Sequence, residues 1–92
     1  MPTLIGRYTG ENLHVVANRG VALGFGSADD AKDFLELEWS LNSRGAWCAE
    51  TPNGFYTVVP ADTEWQRALG VTIADQPTAG WQWMRIQTPK LH

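Results

Sequence analysis

Apolar and polar positions along the chain alternate with a short period at first. Residues 3–9, 13–17 and 21–25 are brief, half-apolar runs containing the β-branched pair Val15-Val16. Gly10-Glu11-Asn12 and Asn18-Arg19-Gly20 separate them as turn signals. Such runs between Gly/Asn clusters predict a strand meander. Gly6, Gly24 and Gly26 inside it mark bulges or close backbone approach.

A longer period follows. Ser27 is a good N-cap, with Asp29 and Asp30 in the first turn, where the helix dipole favours acids. At about 100° per residue, Ala31, Phe34, Leu35, Leu41 and, at one margin, Trp39 share a broad side. Asp29, Asp33 and Glu36 fall at roughly 100°, 140° and 80°, one narrow acidic stripe. Gly45 reads as the residue after the helix, with Arg44 meeting its last carbonyls. Two features cut across this. Glu38 lands in the apolar side, at a core edge or in a partner's surface. Leu35-Glu36-Leu37-Glu38-Trp39-Ser40-Leu41 also alternates strictly, as a strand does. Because Leu and Glu are good helix formers and no turn residue follows Phe34, the expectation is one main helix over 28–42.

Residues 46–50 and 55–59 flank Thr51-Pro52-Asn53-Gly54, which predicts a hairpin. Pro60 ends its second strand. Thr63-Glu64-Trp65-Gln66 fits a capping box, opening a short helix over 63–69 that Gly70 stops. Residues 71–74 read as a brief strand. In 81–88, Trp81 and Trp83 take one face and Gln82, Met84 and Ile86 the other. The order β-β-β-α-β-β-α-β predicts an α+β fold, one small domain over residues 1–92, with an antiparallel sheet of about four to six strands.

Composition narrows the function. The chain has 92 residues, 43% apolar, with ten acids, seven bases and a net charge of −3. That is ordinary globular composition. The longest apolar run, Val21 to Phe25, is far below the roughly 20 residues of a membrane helix. The first residues lack the pattern of a secretory leader, and the lone Cys48 forms no intrachain disulfide, so a cytoplasmic location is expected.

No catalytic signature surrounds Cys48 or His14, and a lone cysteine is usually a small hydrophobe. One Cys and two His do not make a structural zinc site. The glycines of Gly20 to Gly26 match neither phosphate-loop spacing. Asp62 with Glu64, or Glu36 with Glu38, read as solvated acids rather than a hydrolytic pair. No enzyme, metal or cofactor is therefore expected.

Tryptophans and charge carry more. Five Trp in so short a chain supply large apolar area, and two or three should be core. Trp81 and Trp83, if not core, form a binding platform. Residues 29–64 hold eight acids and two bases, and the remainder two acids and five bases. An acidic stripe suits a Lys/Arg-rich partner.

In size, acidity and α+β architecture the chain resembles the small single-domain proteins of phages and mobile elements, among them the anti-CRISPR proteins. The resemblance implies a non-enzymatic inhibitor in the host cytoplasm. It would occupy a basic, nucleic-acid-binding surface of a bacterial protein or ribonucleoprotein. Asp29, Asp33, Glu36 and Glu38 would meet the bases, and Trp39, Trp81 or Trp83 would supply the aromatic anchor. Two alternatives stand beside it. One is a small-ligand or enzymatic domain using Cys48/His14 or a tryptophan-lined cleft. The other is direct nucleic-acid binding through Arg7, Arg19, Arg67, Arg85 and Lys90.

Overall fold

The computed structural model describes residues 3–60, 67, 70, 72–74 and 80–86. Among the described residues, eight strands and the helix α1 follow in the order β1 (Thr3–Thr9), β2 (Asn12–Asn18), β3 (Val21–Leu23), α1 (Ala28–Phe34), β4 (Ser40–Leu41), β5 (Trp47–Thr51), β6 (Gly54–Pro60), β7 (Thr72–Ala74) and β8 (Gln82–Ile86). The fold is α+β. The sheet exceeds the expected size, with eight strands in the order β4-β5-β6-β1-β2-β3-β7 and β8 paired to β2. It is also mixed rather than antiparallel, because β3 and β7 run parallel. Nothing in the three apolar residues of β3 specifies a partner's direction, and a parallel partner arrives only through a long crossover.

Strand β2 organises the sheet. Leu13–Ala17 pair with β8 along one edge. The other edge is divided: β1 takes Asn12–Val15, and β3 takes Ala17 and Asn18. The start of β1 is tied beyond β3 by two backbone bonds, Thr3 N–H to the Phe25 carbonyl (2.9 Å) and Phe25 N–H to the Thr3 carbonyl (2.7 Å). Consecutive pairs Leu4-Ile5 and Val15-Val16 are fully buried, as central strands covered on both faces require. On the helix side, Ile5, Val16, Leu23, Ala31, Ala49, Tyr56 and Val58 form the main core. On the opposite face Leu4, Val15, Ala22 and Ile86 form a second cluster, joined by Val59, Ile73 and Met84.

Turn chemistry is local, and the structure follows it. Arg19 and Gly20 both have positive φ (53° and 80°), as a tight hairpin with two left-handed central residues needs. In the β5–β6 hairpin, Thr51 Oγ accepts from Asn53 N–H and donates to the Gly54 carbonyl, both at 3.1 Å. The left-handed residue there is Gly54 (φ 142°), and a Cβ on it would meet the backbone oxygen of Tyr8 at 2.8 Å. Gly54→Ala is therefore expected to destabilise the chain by about 1–3 kcal/mol, checked by urea unfolding.

The main helix is shorter than expected. Ser27 caps it as predicted, its hydroxyl accepting from Asp30 N–H at 3.1 Å. It stops at Phe34 rather than Asn42, and Leu35 is already extended (φ −124°, ψ 114°). Residues 35–40 follow the strand-like alternation instead, and Leu41, expected on the apolar side of the helix, is exposed. Leu35, Leu37 and Trp39 pack on the core while Glu36, Glu38 and Ser40 face out. Leu37 N–H bonds the Leu35 carbonyl (2.8 Å) and Trp39 N–H the Leu37 carbonyl (3.0 Å), two successive three-residue turns. Propensity favoured more helix; burial of three large side chains against the sheet outweighs it. Gly45 does not close the helix. It sits at positive φ in the β4–β5 turn, where Asn42 Oδ1 accepts from Arg44 and Ala46 N–H at 2.9 Å each.

Of the second helix expected over 63–69, all but Arg67 lies outside the described residues, as do Asp62, Glu64, Trp65 and Lys90. Gly70 has positive φ and its N–H bonds the Arg67 carbonyl at 3.3 Å, a stop of the expected kind. Among the described residues no helix is long and apolar enough to cross a membrane.

Candidate functional site

Two places gather residues with chemistry. The first is the corner where α1 hands over to the extended segment. The helix's last carbonyls need donors, and Trp39 supplies one: its indole N–H reaches the carbonyls of Leu35 (2.9 Å) and Lys32 (3.2 Å). This folds residues 35–39 back along the helix end. Leu35, Leu37, Trp39 and Trp47 then line an open groove with Lys32, Asp33 and Glu36. Lys32 is committed within the fold. Its ammonium lies 3.4 Å from the centroid of the Trp47 ring and 3.2 Å from Asp29 Oδ1. Asp33, Glu36 and Glu38 are exposed and form no ion pair among the described residues. Between residues 28 and 41, five acids face one base that is already engaged.

The predicted stripe is therefore redistributed. Asp29 and Asp33 remain one turn apart on α1, but Glu36 belongs to the extended segment. Glu38 is not set in the apolar side, because alternation turns it outward beside Glu36. Trp39 joins the groove, whereas Trp81 and Trp83 do not. Lys32, Leu35, Leu37 and Trp47 were missed as groove residues; the alternation of 35–41, taken as the dominant signal, would have found the two leucines.

The second place is the other half of the helix-side face. Trp83 lies on the helix-side face of β8 and Trp81, just before the strand, packs edge-on against it at 5.8 Å, with Met84 and Ile86 packed on the opposite cluster. Trp81 is 38% exposed and Trp83 half-buried. An aromatic chain runs from Phe25 to Phe34 (5.3 Å), Trp81 (5.4 Å), Trp83 (5.8 Å) and Tyr56 (5.8 Å). The guanidinium of Arg7 lies 4.8 Å from the Trp83 ring centroid. Trp39, Trp47 and Trp83 thus serve mainly the core.

The thiolate–imidazole pair is not formed. Cys48 belongs to the cross-strand row Cys48–Thr57–Gly6–Val15, and His14 to the neighbouring row Ala49–Tyr56–Arg7–His14. Adjacent rows project to opposite faces of a sheet. Cys48 is buried, its sulfur 3.4 Å from Asn42 Nδ2 and 3.8 Å from Thr57 Oγ. Among the described residues no three His, Cys, Asp or Glu side chains gather in a metal-binding arrangement. Compared with protein-family models, curated proteins and solved structures, the chain gives no match in any of the three.

Proposed function

We propose that this chain is a non-enzymatic protein-interaction module that docks its acidic corner on a Lys/Arg-rich surface. The partner is a nucleic-acid-binding protein or ribonucleoprotein, and occupying its basic surface blocks it. A phage-encoded inhibitor of a bacterial defence complex, of the anti-CRISPR kind, works in this way. One observation carries the reading. Asp33 and Glu36 rim a groove lined by Leu35, Leu37 and Trp39, and the groove's own cation, Lys32, is held against the Trp47 ring and Asp29. Unneutralised carboxylates around an apolar floor suit a cationic side chain with an aliphatic stem, which buries its stem and leaves its charge at the rim. Negative potential there steers a basic partner.

The test uses paired baits. Full-length chain and its Asp33→Lys/Glu36→Lys variant are immobilised and exposed to bacterial lysate cleared of nucleic acid. The expected result is a basic, nucleic-acid-binding protein retained by the first bait and lost from the second. Identical retention on both baits, or retention of no basic protein, contradicts the reading.

A further inference from the structure

Arg7, His14 and Arg85 stand side by side on three strands. Arg7 is the register partner of His14, and His14 that of Arg85. Tyr56 of β6 continues the row beyond Arg7. Adjacent strands lie about 4.8 Å apart, so the outer two Cα atoms of the trio are roughly 10 Å apart on one sheet face. The two guanidiniums carry like charge on one face of the sheet. Nothing acidic offsets them, for among the described residues neither arginine forms a salt bridge. Two polar atoms of the row are also stranded: Arg7 Nε and His14 Nδ1 are closed to solvent with no hydrogen-bond partner among the described residues. Buried polar atoms in that condition are rare enough to require a reason.

A packing role explains only part of this. Stacking on Trp83, itself met edge-on by Tyr56 and Trp81, holds the Arg7 guanidinium in place. It does not explain why Arg85, which is exposed and forms no salt bridge among the described residues, stands in the same row. We propose that the row is a binding site for a phosphate group, clamped between the Arg7 and Arg85 guanidiniums with His14 beneath it. A carboxylate has two oxygens and is satisfied by one guanidinium fork. Two forks on either side of an imidazole fit a tetrahedral anion, whose oxygens point to several sides at once. Beyond Arg85 on this face of β8 stands Trp83, and against it the exposed Trp81, whose indole is a flat surface on which a base can stack. The ligand is therefore phosphate-bearing and of nucleotide type, as a small molecule or within a single strand. The site shares no residue with the acidic groove, so either stands if the other fails.

The test titrates the full chain with inorganic phosphate at constant ionic strength, with chloride as the control anion, and separately with a short oligothymidylate. The indole N–H of Trp83 and the Nε–H of Arg7 are followed by NMR. Phosphate, and not chloride, is expected to shift both signals to saturation. Arg85→Gln, at an exposed position, should weaken binding about tenfold or more, the loss of one charge-assisted hydrogen bond, with unchanged thermal unfolding. Oligothymidylate binding well above that of inorganic phosphate identifies the polymer as the source, and equal binding a small phosphate compound. No saturable shift with either ligand, the same shift with chloride, or an Arg85→Gln titration identical to the parent overturns the proposal. Arg7→Lys, which keeps the charge but loses the planar fork, should also weaken phosphate binding. Parent-level affinity in that variant would overturn the two-fork clamp.

Discussion

Ile5→Ala is expected to cost about 2–5 kcal/mol of folding free energy, the range for emptying a well-packed aliphatic site. Ile5 is fully buried on β1, pairs with Val58 of β6, and packs in the cluster that holds Val16, Leu23 and Ala31. Two of its surroundings resist collapse into the void. β1 is fixed by β2 and β6 on its two sides, and Ala31 has only a methyl group to move inward. Domains of this size hold about 5–15 kcal/mol in total. The loss is thus a large share, and the midpoint of thermal unfolding should fall by about 10–30 °C. Leu41→Ala is the matched control, because Leu41 is 56% exposed on the two-residue strand β4. It should lie within about 0.5 kcal/mol of the parent. Urea unfolding of the three chains checks both values, and equal effects at the two positions would contradict the assigned core.

Asp33→Lys/Glu36→Lys is expected to weaken the partner complex by about 10- to 100-fold, chiefly through slower association. Both acids rim the groove, and neither is tied to a base among the described residues, so reversal changes the potential there without breaking an internal pair. Charges at an exposed rim are screened beyond about 8 Å at physiological ionic strength. The parent's association rate should therefore fall as salt rises, and the variant's should be slow and nearly flat. Glu11→Lys separates a local effect from net charge. Glu11 is exposed in the β1–β2 turn and outside the groove, so its reversal should leave the association rate close to the parent's. Stopped-flow association at several salt concentrations reads all of this. Equal losses from Glu11→Lys would leave the groove with no special part.

How far the chain could be read without its structure depends on how local each signal is. The hairpin turns at 9–12, 18–21 and 51–54 are written in Gly, Asn and Pro chemistry, and each falls where expected. The faces of β8 follow from alternation alone. The end of α1 does not, because residues 35–41 carry helix-forming residues in a strand pattern. Burial of Leu35, Leu37 and Trp39 against the core, together with the Trp39 indole's bonds to the Lys32 and Leu35 carbonyls, favours the extended segment. Strand order was not legible either. The parallel β3–β7 pair and the division of one β2 edge between two strands depend on long-range pairing that short apolar runs do not encode. The same holds for the basic row. Arg7, His14 and Arg85 look scattered along the chain, and only the register of β1, β2 and β8 brings them together. The acidic residues were legible as a group because they are close in sequence, though on a helix and an extended segment rather than on one helix face.

Amide hydrogen exchange of the full chain, alone and saturated with the protein retained by the parent bait, tests the central claim most directly. If the acidic corner is the docking surface, added protection should concentrate in residues 29–41 and at Trp47, and the β1–β2 turn should exchange as in the free chain. Protection that spares residues 29–41 while another part of the surface slows would place the partner elsewhere and contradict the account.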